Sequence, residues 1–219
     1  MNIYVVVEGE QSERKVYEKW IKYLNPTLRY VDKLSGVTKD NYVIYAGFGY
    51  PFYFEVIKSA IEDVNSHGNI DRLIIAVDSE EMSYEEKYRE IQAVVNDNKC
   101  FAQIHIVVQH FCLETWALGN RAIISRQPQS EKLKTYIRFF NVVDNDPELL
   151  PPYQPEELNR AQFAAKYLKT AVNEKYRNLT YSKNNPKVLL NRKYFKRIRS
   201  RFETTKHIAS FGAFLRAFK

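Results

Sequence analysis

Two short apolar runs, about seventy residues apart in a chain of 219 residues, each end in acid. Ile3-Tyr4-Val5-Val6-Val7 runs into Glu8-Gly9-Glu10, and Leu73-Ile74-Ile75-Ala76-Val77 runs into Asp78-Ser79-Glu80-Glu81. In open parallel α/β sheets, ligands bind at the carboxyl ends of the strands. Carboxylates brought there from two strands make an oxygen-rich site suited to Mg²⁺ or Mn²⁺. Glu8 directly follows five strand residues, where a carboxylate is costly to keep charged without a metal ion or a base beside it. Asp78 and Glu80 are two apart; in an extended segment both point the same way and can face one ion, while Glu81 points away. Glu114 is a further candidate ligand or active-site acid, its alternative role being a charge at a helix start.

These acids need a scaffold, and the hydrophobic pattern supplies one. Ile3 to Val7 is short and β-branched or aromatic, as a strand buried on both faces should be. Ser12 reads as an N-cap for a helix from Glu13 to Leu24, with Val16, Trp20 and Leu24 on one face and Asn25-Pro26 as its stop. Tyr42 to Ala46 reads as a second strand. Pro51 can open the next helix, with Phe54, Ile57, Ile61 and Val64 inward and Gly68-Asn69 ending it. Arg72 to Val77 is a third strand. Ser83 caps a helix from Tyr84 to Asn96, and Gln103 to Val108 is a fourth strand. The order predicts an α/β fold, a mostly parallel four-stranded sheet flanked by helices. Beyond it the pattern predicts a short helix over Glu114–Gly119, a surface loop over Asp144–Pro155 and a helix over Glu156–Tyr176. A largely helical, basic stretch over Lys187–Lys219 ends the chain. An α/β core at 1–125 and a helical, basic extension at 126–219 are the expected domains.

The charge is uneven. Of 33 Lys and Arg, 11 lie from Tyr181 onward; of 26 Asp and Glu, only Glu203 does. A nearly neutral body with a basic end points to a polyanionic partner. Lys187, Arg192, Lys193, Lys196, Arg197, Arg199 and Arg201 are the candidate nucleic-acid contacts. On a helix Arg192, Lys196 and Arg199 form one track and Lys193, Arg197 and Arg201 another, with Phe195, Ile198 and Phe202 as the buried seam. His67, His105 and His110 are scattered and show no ligand spacing; Lys206 and His207 could reach a phosphate, but lone residues of this kind are usually surface. Cys100 and Cys112 read as free, inert thiols of a reducing compartment. Neither a signal peptide nor a membrane span is expected, so the expected location is cytoplasmic. A P-loop and a Cys-based zinc cluster are both missing from the sequence.

With those residues in view, the chain resembles the Toprim family, shared by topoisomerases, bacterial primases and the nucleases similar to the overcoming-lysogenisation-defect (OLD) proteins. The resemblance rests on Glu8-Gly9 after the first strand and Asp78-Ser79-Glu80 after a later one. Glu8-Gly9-Glu10-Gln11-Ser12-Glu13 is similar to the EGxTE-like start of small Toprim-like proteins of phage-defence loci. Glu114-Thr115-Trp116-Ala117-Leu118 is similar to their E-x-W-x-L segment. It spans about residues 1 to 120. One position departs: Glu80 stands where the family has Asp, which moves the carboxylate outward by about one bond. The resemblance implies an Mg²⁺- or Mn²⁺-dependent nuclease acting on DNA or RNA, an antiviral effector with Glu8, Asp78 and Glu80 as ligands. Glu8 would double as general acid or base. It also implies a separate partner ATPase of the ABC or SMC type. The alternative is a non-catalytic Toprim-like module that binds nucleic acid or the ATPase.

Overall fold

The computed structural model describes residues 1–176 and 178–219. Its elements begin with β1 (Ile3–Val7), α1 (Glu13–Leu24), β2 (Arg29–Tyr30), β3 (Asn41–Ala46), α2 (Tyr53–His67), β4 (Arg72–Asp78), α3 (Tyr84–Asn96) and β5 (Gln103–Gln109). They continue with α4 (Leu113–Ala117), α5 (Glu131–Phe139), α6 (Arg160–Lys175), α7 (Arg192–Thr205) and α8 (Phe211–Ala217). The five strands form an all-parallel sheet in the order β2-β3-β1-β4-β5. The sheet therefore has one strand more than expected. β2 is two residues long and sits at the edge, where a strand pairs on one side only and carries little apolar signal.

The chain divides into two units. The first holds Met1–Val77, Ser83–Val108 and Ala213–Lys219; the second holds Asp78–Met82 and Gln109–Gly212. The division after the sheet falls at Gln109, earlier than the expected 125, and the last seven residues return to the first unit.

In the first unit every residue of β1 is buried, as are Leu73 through Val77 of β4. Strands buried on both faces require helices on both faces. α2 contributes Ile57, Ala60, Ile61 and Val64 to one cluster with Tyr4, Val6, Val43 and Ile75, and α3 adds Ile91. α1 buries Val16, Tyr17, Trp20 and Ile21. Phe214, in the returning segment, meets Tyr17 and Trp20 edge-on at ring separations of 5.1 and 6.0 Å. The expected Ser83 cap is present as a full capping box with Glu86. The expected Ser12 cap is not: its side chain makes no cap bond. Instead the Glu13 carboxylate accepts from the Gly9 backbone N–H at 2.6 Å and closes the strand-to-helix turn itself.

The second unit is helical. α4 packs on α6, and α6 on α5. α5 was not expected from the sequence. Tyr136 of α5 meets Tyr153 and Phe163 edge-on and Tyr167 at a tilt. The stretch Asp144–Pro155 is not the surface loop that its prolines and acids suggest. Pro147, Leu150 and Tyr153 are buried, and 3₁₀ turns at Pro147–Leu149 and Gln154–Glu156 take Pro147 at the first position and Pro155 at the second. The backbone approaches closely at Gly119, where a Cβ would lie 2.7 Å from the Trp116 carbonyl and 2.9 Å from Ile208 Cδ1. Among the described residues no helix is long and apolar enough to cross a membrane.

Candidate active site

β1 and β4 are neighbours in the sheet, with Val7 opposite Ala76. Glu8 is the residue after β1, and Asp78 is the last residue of β4. The two acids therefore leave adjacent parallel strands at their carboxyl ends, as the sequence pattern required.

Around Glu8 the first unit is built from the turn after β3. The Gly47 N–H donates to the Val7 carbonyl at 2.7 Å, and the Gly49 N–H donates to the Glu8 carbonyl at 3.2 Å. Gly47 has to be glycine: a Cβ there would sit 2.7 Å from Tyr53 Cβ. Glu8 itself is half-buried. Its charge helps hold the Tyr53 phenol above the ordinary tyrosine range, after burial and the nearer Glu90 carboxylate. Tyr53 Oη donates to Glu90 at 3.1 Å, and the buried Lys87 ammonium donates to both Tyr53 and Glu90, at 3.1 and 2.7 Å. The same turn carries Phe48, Tyr50 and Phe52, which are the most exposed large apolar side chains near Glu8, each about two-thirds exposed.

In the second unit Asp78 is buried, and its Oδ1 accepts from Gln109 Nε2 at 3.0 Å. Gln109 ends β5 as Asp78 ends β4, and it is fully buried with no hydrogen-bond partner for its own Oε1. Ser79 is fully buried, and its hydroxyl lies 2.8 Å from His110 Nδ1. Glu114 is 2 % exposed and accepts from Tyr181 Oη at 2.6 Å. Burial, and then Glu114, push the Tyr181 phenol well above its usual range. Burial likewise raises the Cys112 thiol, with Glu114 and Asp78 adding to it. Asp78 and Glu114 thus act on one buried sulfur, and Cys112 stays a neutral, unreactive thiol as expected.

Glu80 departs from the expected arrangement. β4 stops at Asp78, and Glu80 has a left-handed backbone with φ 50° and is exposed. Its N–H donates to the Phe111 carbonyl at 2.9 Å. The extended segment that would have aimed Glu80 alongside Asp78 is replaced by a turn. Glu81 is held elsewhere, on the Arg160 guanidinium at 2.8 Å. Among the described residues no three or more His, Cys, Asp or Glu side chains are gathered in a metal-binding group.

The donors at the strand ends still have the right chemistry for a hard divalent cation. Asp78 offers carboxylate oxygens, the Gln109 Oε1 beside it is a buried carbonyl oxygen without a partner, and all are oxygen rather than nitrogen or sulfur. Sequence reasoning missed Gln109 and His110. Their signal was positional: they end and follow β5 as Asp78 and Ser79 end and follow β4.

The basic segment is divided by α7. Lys187, Arg192, Lys193, Lys196 and Arg197 are exposed as expected. Arg199 is half-buried and ion-paired to Glu203 at 2.7 Å. Arg201 is not on the exposed track: it is 3 % exposed, and its guanidinium donates to the carbonyls of Val142 and Asn145 at 2.7 and 2.6 Å. Tyr194, Ile198 and Arg201, spaced four and three apart, share the buried side of the helix.

Compared with known proteins, the chain matches no family model, no curated protein and no solved structure. Its functional reading rests on the residues above.

Tyr181→Phe removes the hydroxyl on which buried Glu114 depends. Leaving a buried carboxylate short of one donor costs about 1–3 kcal/mol. Urea denaturation is expected to give a correspondingly lower midpoint with an unchanged slope; an unchanged midpoint would show that Glu114 has no need of that bond.

Proposed function

We propose that this protein is an Mg²⁺- or Mn²⁺-dependent phosphodiesterase that cleaves nucleic acid. The observation that carries the reading is the pair of carboxylates, Glu8 and Asp78, at the carboxyl ends of adjacent parallel strands. In the second unit Asp78 and Gln109 Oε1 are the atoms that would hold the ion, with Glu80 on the turn that follows; in the first, Glu8 is the candidate carboxylate at the end of β1. When bound, such an ion polarises a phosphoryl oxygen and lowers the cost of the attacking hydroxide.

The chain's own residues supply the remainder. Gln109 Nε2 donates to Asp78 Oδ1 and so orients the carboxylate. His110, whose Nδ1 lies 2.8 Å from the Ser79 hydroxyl, would be the group that moves a proton, through Nε2. Phe48, Tyr50 and Phe52 give faces on which unstacked bases can lie. The exposed cations of α7 meet phosphates without reading bases. The resemblance adds a separate ATPase, since this chain has no P-loop, and a role in antiviral defence. The two free thiols fit a reducing, cytoplasmic setting.

The test is incubation of purified protein with plasmid DNA or bulk tRNA, with Mn²⁺ or EDTA, with and without a partner ATPase. Mn²⁺-dependent cleavage of either substrate is expected, and inactivity under every condition counts against the reading.

The turn at Glu80 favours a second reading, a binding module whose site has lost its chemistry. Calorimetric titration with Mn²⁺ separates the two: the nuclease takes up the ion and the module does not.

A further inference from the structure

Two donors buried in the second unit have no acceptor. Asn120 is 1 % exposed and Arg201 3 %, and neither Asn120 Nδ2 nor Arg201 Nε makes a hydrogen bond. Buried N–H groups are almost always paired, so an orphan implies a missing acceptor. Both residues line the same pocket, of about 230 Å³, together with Arg121 and Arg197. Among the described residues no carboxylate pairs with the Arg201 guanidinium. Its other nitrogens are taken by the carbonyls of Leu118, Val142 and Asn145 and by His207 Nδ1. Burial, and then the charge of Arg121, push it down to about 10, while the charges of Asp146 and Asp144 act the other way. It is a cation at neutral pH with carbonyl dipoles but no counter-charge in contact.

The pocket does not stand alone. It shares Asn120 and Arg197 with a neighbouring pocket of about 300 Å³ lined by Lys187 and Lys193. On the other side it shares Arg121 with a cleft of about 1010 Å³ that reaches Arg126 and Lys175. Among the described residues not one Asp or Glu lines any of the three. A run of cations without acids is the footprint of a phosphate backbone.

We infer that the pocket floored by Asn120 and Arg201 is a phosphate seat, and that the acid-free cleft on either side of it carries the backbone of a nucleic-acid strand. The Asn120 and Arg201 side chains form the floor of the seat, and Arg121 and Arg197 close over it from the rim. Charge-assisted bonds from a guanidinium to phosphate are short and directional, which suits the arginines at the rim, Arg121 and Arg197. This inference deepens the proposed function, on which its choice of ligand rests.

The experiment measures binding apart from cleavage. A fluorescent single-stranded oligonucleotide is titrated with the full chain in EDTA and followed by anisotropy at several salt concentrations. Asn120→Asp keeps the Oδ1 that accepts from the Ala122 N–H but replaces the donor with a charge that repels phosphate. It is expected to weaken binding at least tenfold. Arg197→Ala, at an exposed position, is expected to weaken it several-fold and to flatten the salt dependence by about 0.7 per lost phosphate contact on a single strand. Lys58→Ala, in the first unit, is expected to change nothing.

Inorganic phosphate should compete only at tens of millimolar. If phosphate alone binds in the micromolar range and the oligonucleotide does not displace it, the seat serves a small free anion and the nucleic-acid assignment is wrong. If Asn120→Asp and Arg197→Ala both bind like the parent, the seat itself is wrong, even where Mn²⁺-dependent cleavage is intact. Cleavage lost in Glu8→Gln with EDTA binding unchanged speaks only to the strand-end carboxylates.

Discussion

Asp78→Asn is expected to abolish the proposed cleavage. The expected fall in turnover is at least about 10³-fold, equivalent to about 4 kcal/mol of transition-state stabilisation. The substitution is almost isosteric, and the amide oxygen can still accept from Gln109 Nε2, which donates to Asp78 Oδ1 at 3.0 Å. What is lost is the negative charge at the end of β4, on which the proposed divalent-ion site depends. Because Asp78 is buried, removing its charge also removes a desolvation cost, so the fold should be no less stable. The decisive result is the combination: no Mn²⁺-dependent cleavage, no calorimetric Mn²⁺ uptake and a melting temperature within a few degrees of the parent. A variant that cleaves normally would move the chemistry away from the strand ends altogether. Glu8→Gln is expected to behave alike in activity. Its carbonyl, not its carboxylate, is what the Gly49 N–H bonds, so the turn should survive.

Raising the pH from 5 to 8 is expected to destabilise the fold by about 3 kcal/mol through one carboxyl group, Glu148. Burial pushes Glu148 up to about 7, against the bonds it accepts from the Ser210 hydroxyl and backbone and from the Ala209 backbone. In the unfolded chain it titrates near 4.5. Between those values the folded chain binds the proton and the unfolded chain does not. Stability is therefore full below about 4.5, falls as pH rises through the window and levels off above about 7. His207 lies below its ordinary range through burial and works in the opposite sense, gaining stability with rising pH. Glu148→Gln isolates the carboxyl: the difference between parent and variant in urea stability, measured from pH 5 to 8, should carry the whole slope. Parallel curves would mean that Glu148 is ionised throughout.

The consequence reaches the site. Ser210 Oγ donates to Glu148 and accepts from Trp116 Nε1 at 2.6 Å and from the His110 backbone N–H at 3.3 Å. Trp116 lies in the Glu114–Leu118 segment, and His110 follows β5. One buried serine therefore ties the loop carrying Glu148 to both.

How much of this could be read in advance depends on whether the signal was local. α1 and α3 match their expected bounds to the residue, because a 3.6-residue apolar period and a stop or cap are contained within the segment itself. The five apolar residues of β1 and the acids after β1 and β4 are equally local, since a strand and its last residue are adjacent in sequence. α5 had a readable signature as well: Ser130 before it, and Leu133, Tyr136 and Ile137 at helical spacing. The acids and prolines of Asp144–Pro155 looked solvent-bound, because composition cannot tell a proline at the first position of a turn from one in an exposed loop.

The amino-acid order alone determined the α/β class, the parallel strands and the fact that carboxylates leave them at one end, because these follow from periodicities of two and 3.6 residues and from side chains next to each other in the chain. Only the tertiary structure decided which charges are usable. Arg201 and Arg197 are four apart on α7 and look equivalent in sequence. The carbonyls of Val142 and Asn145, more than fifty residues away, draw one guanidinium inside and leave the other in water. Glu80 was decided in the same way, by the Phe111 carbonyl that takes its N–H and turns the chain out of the strand. Burial is set by what packs across from a residue, and a linear sequence holds no record of that neighbour's position.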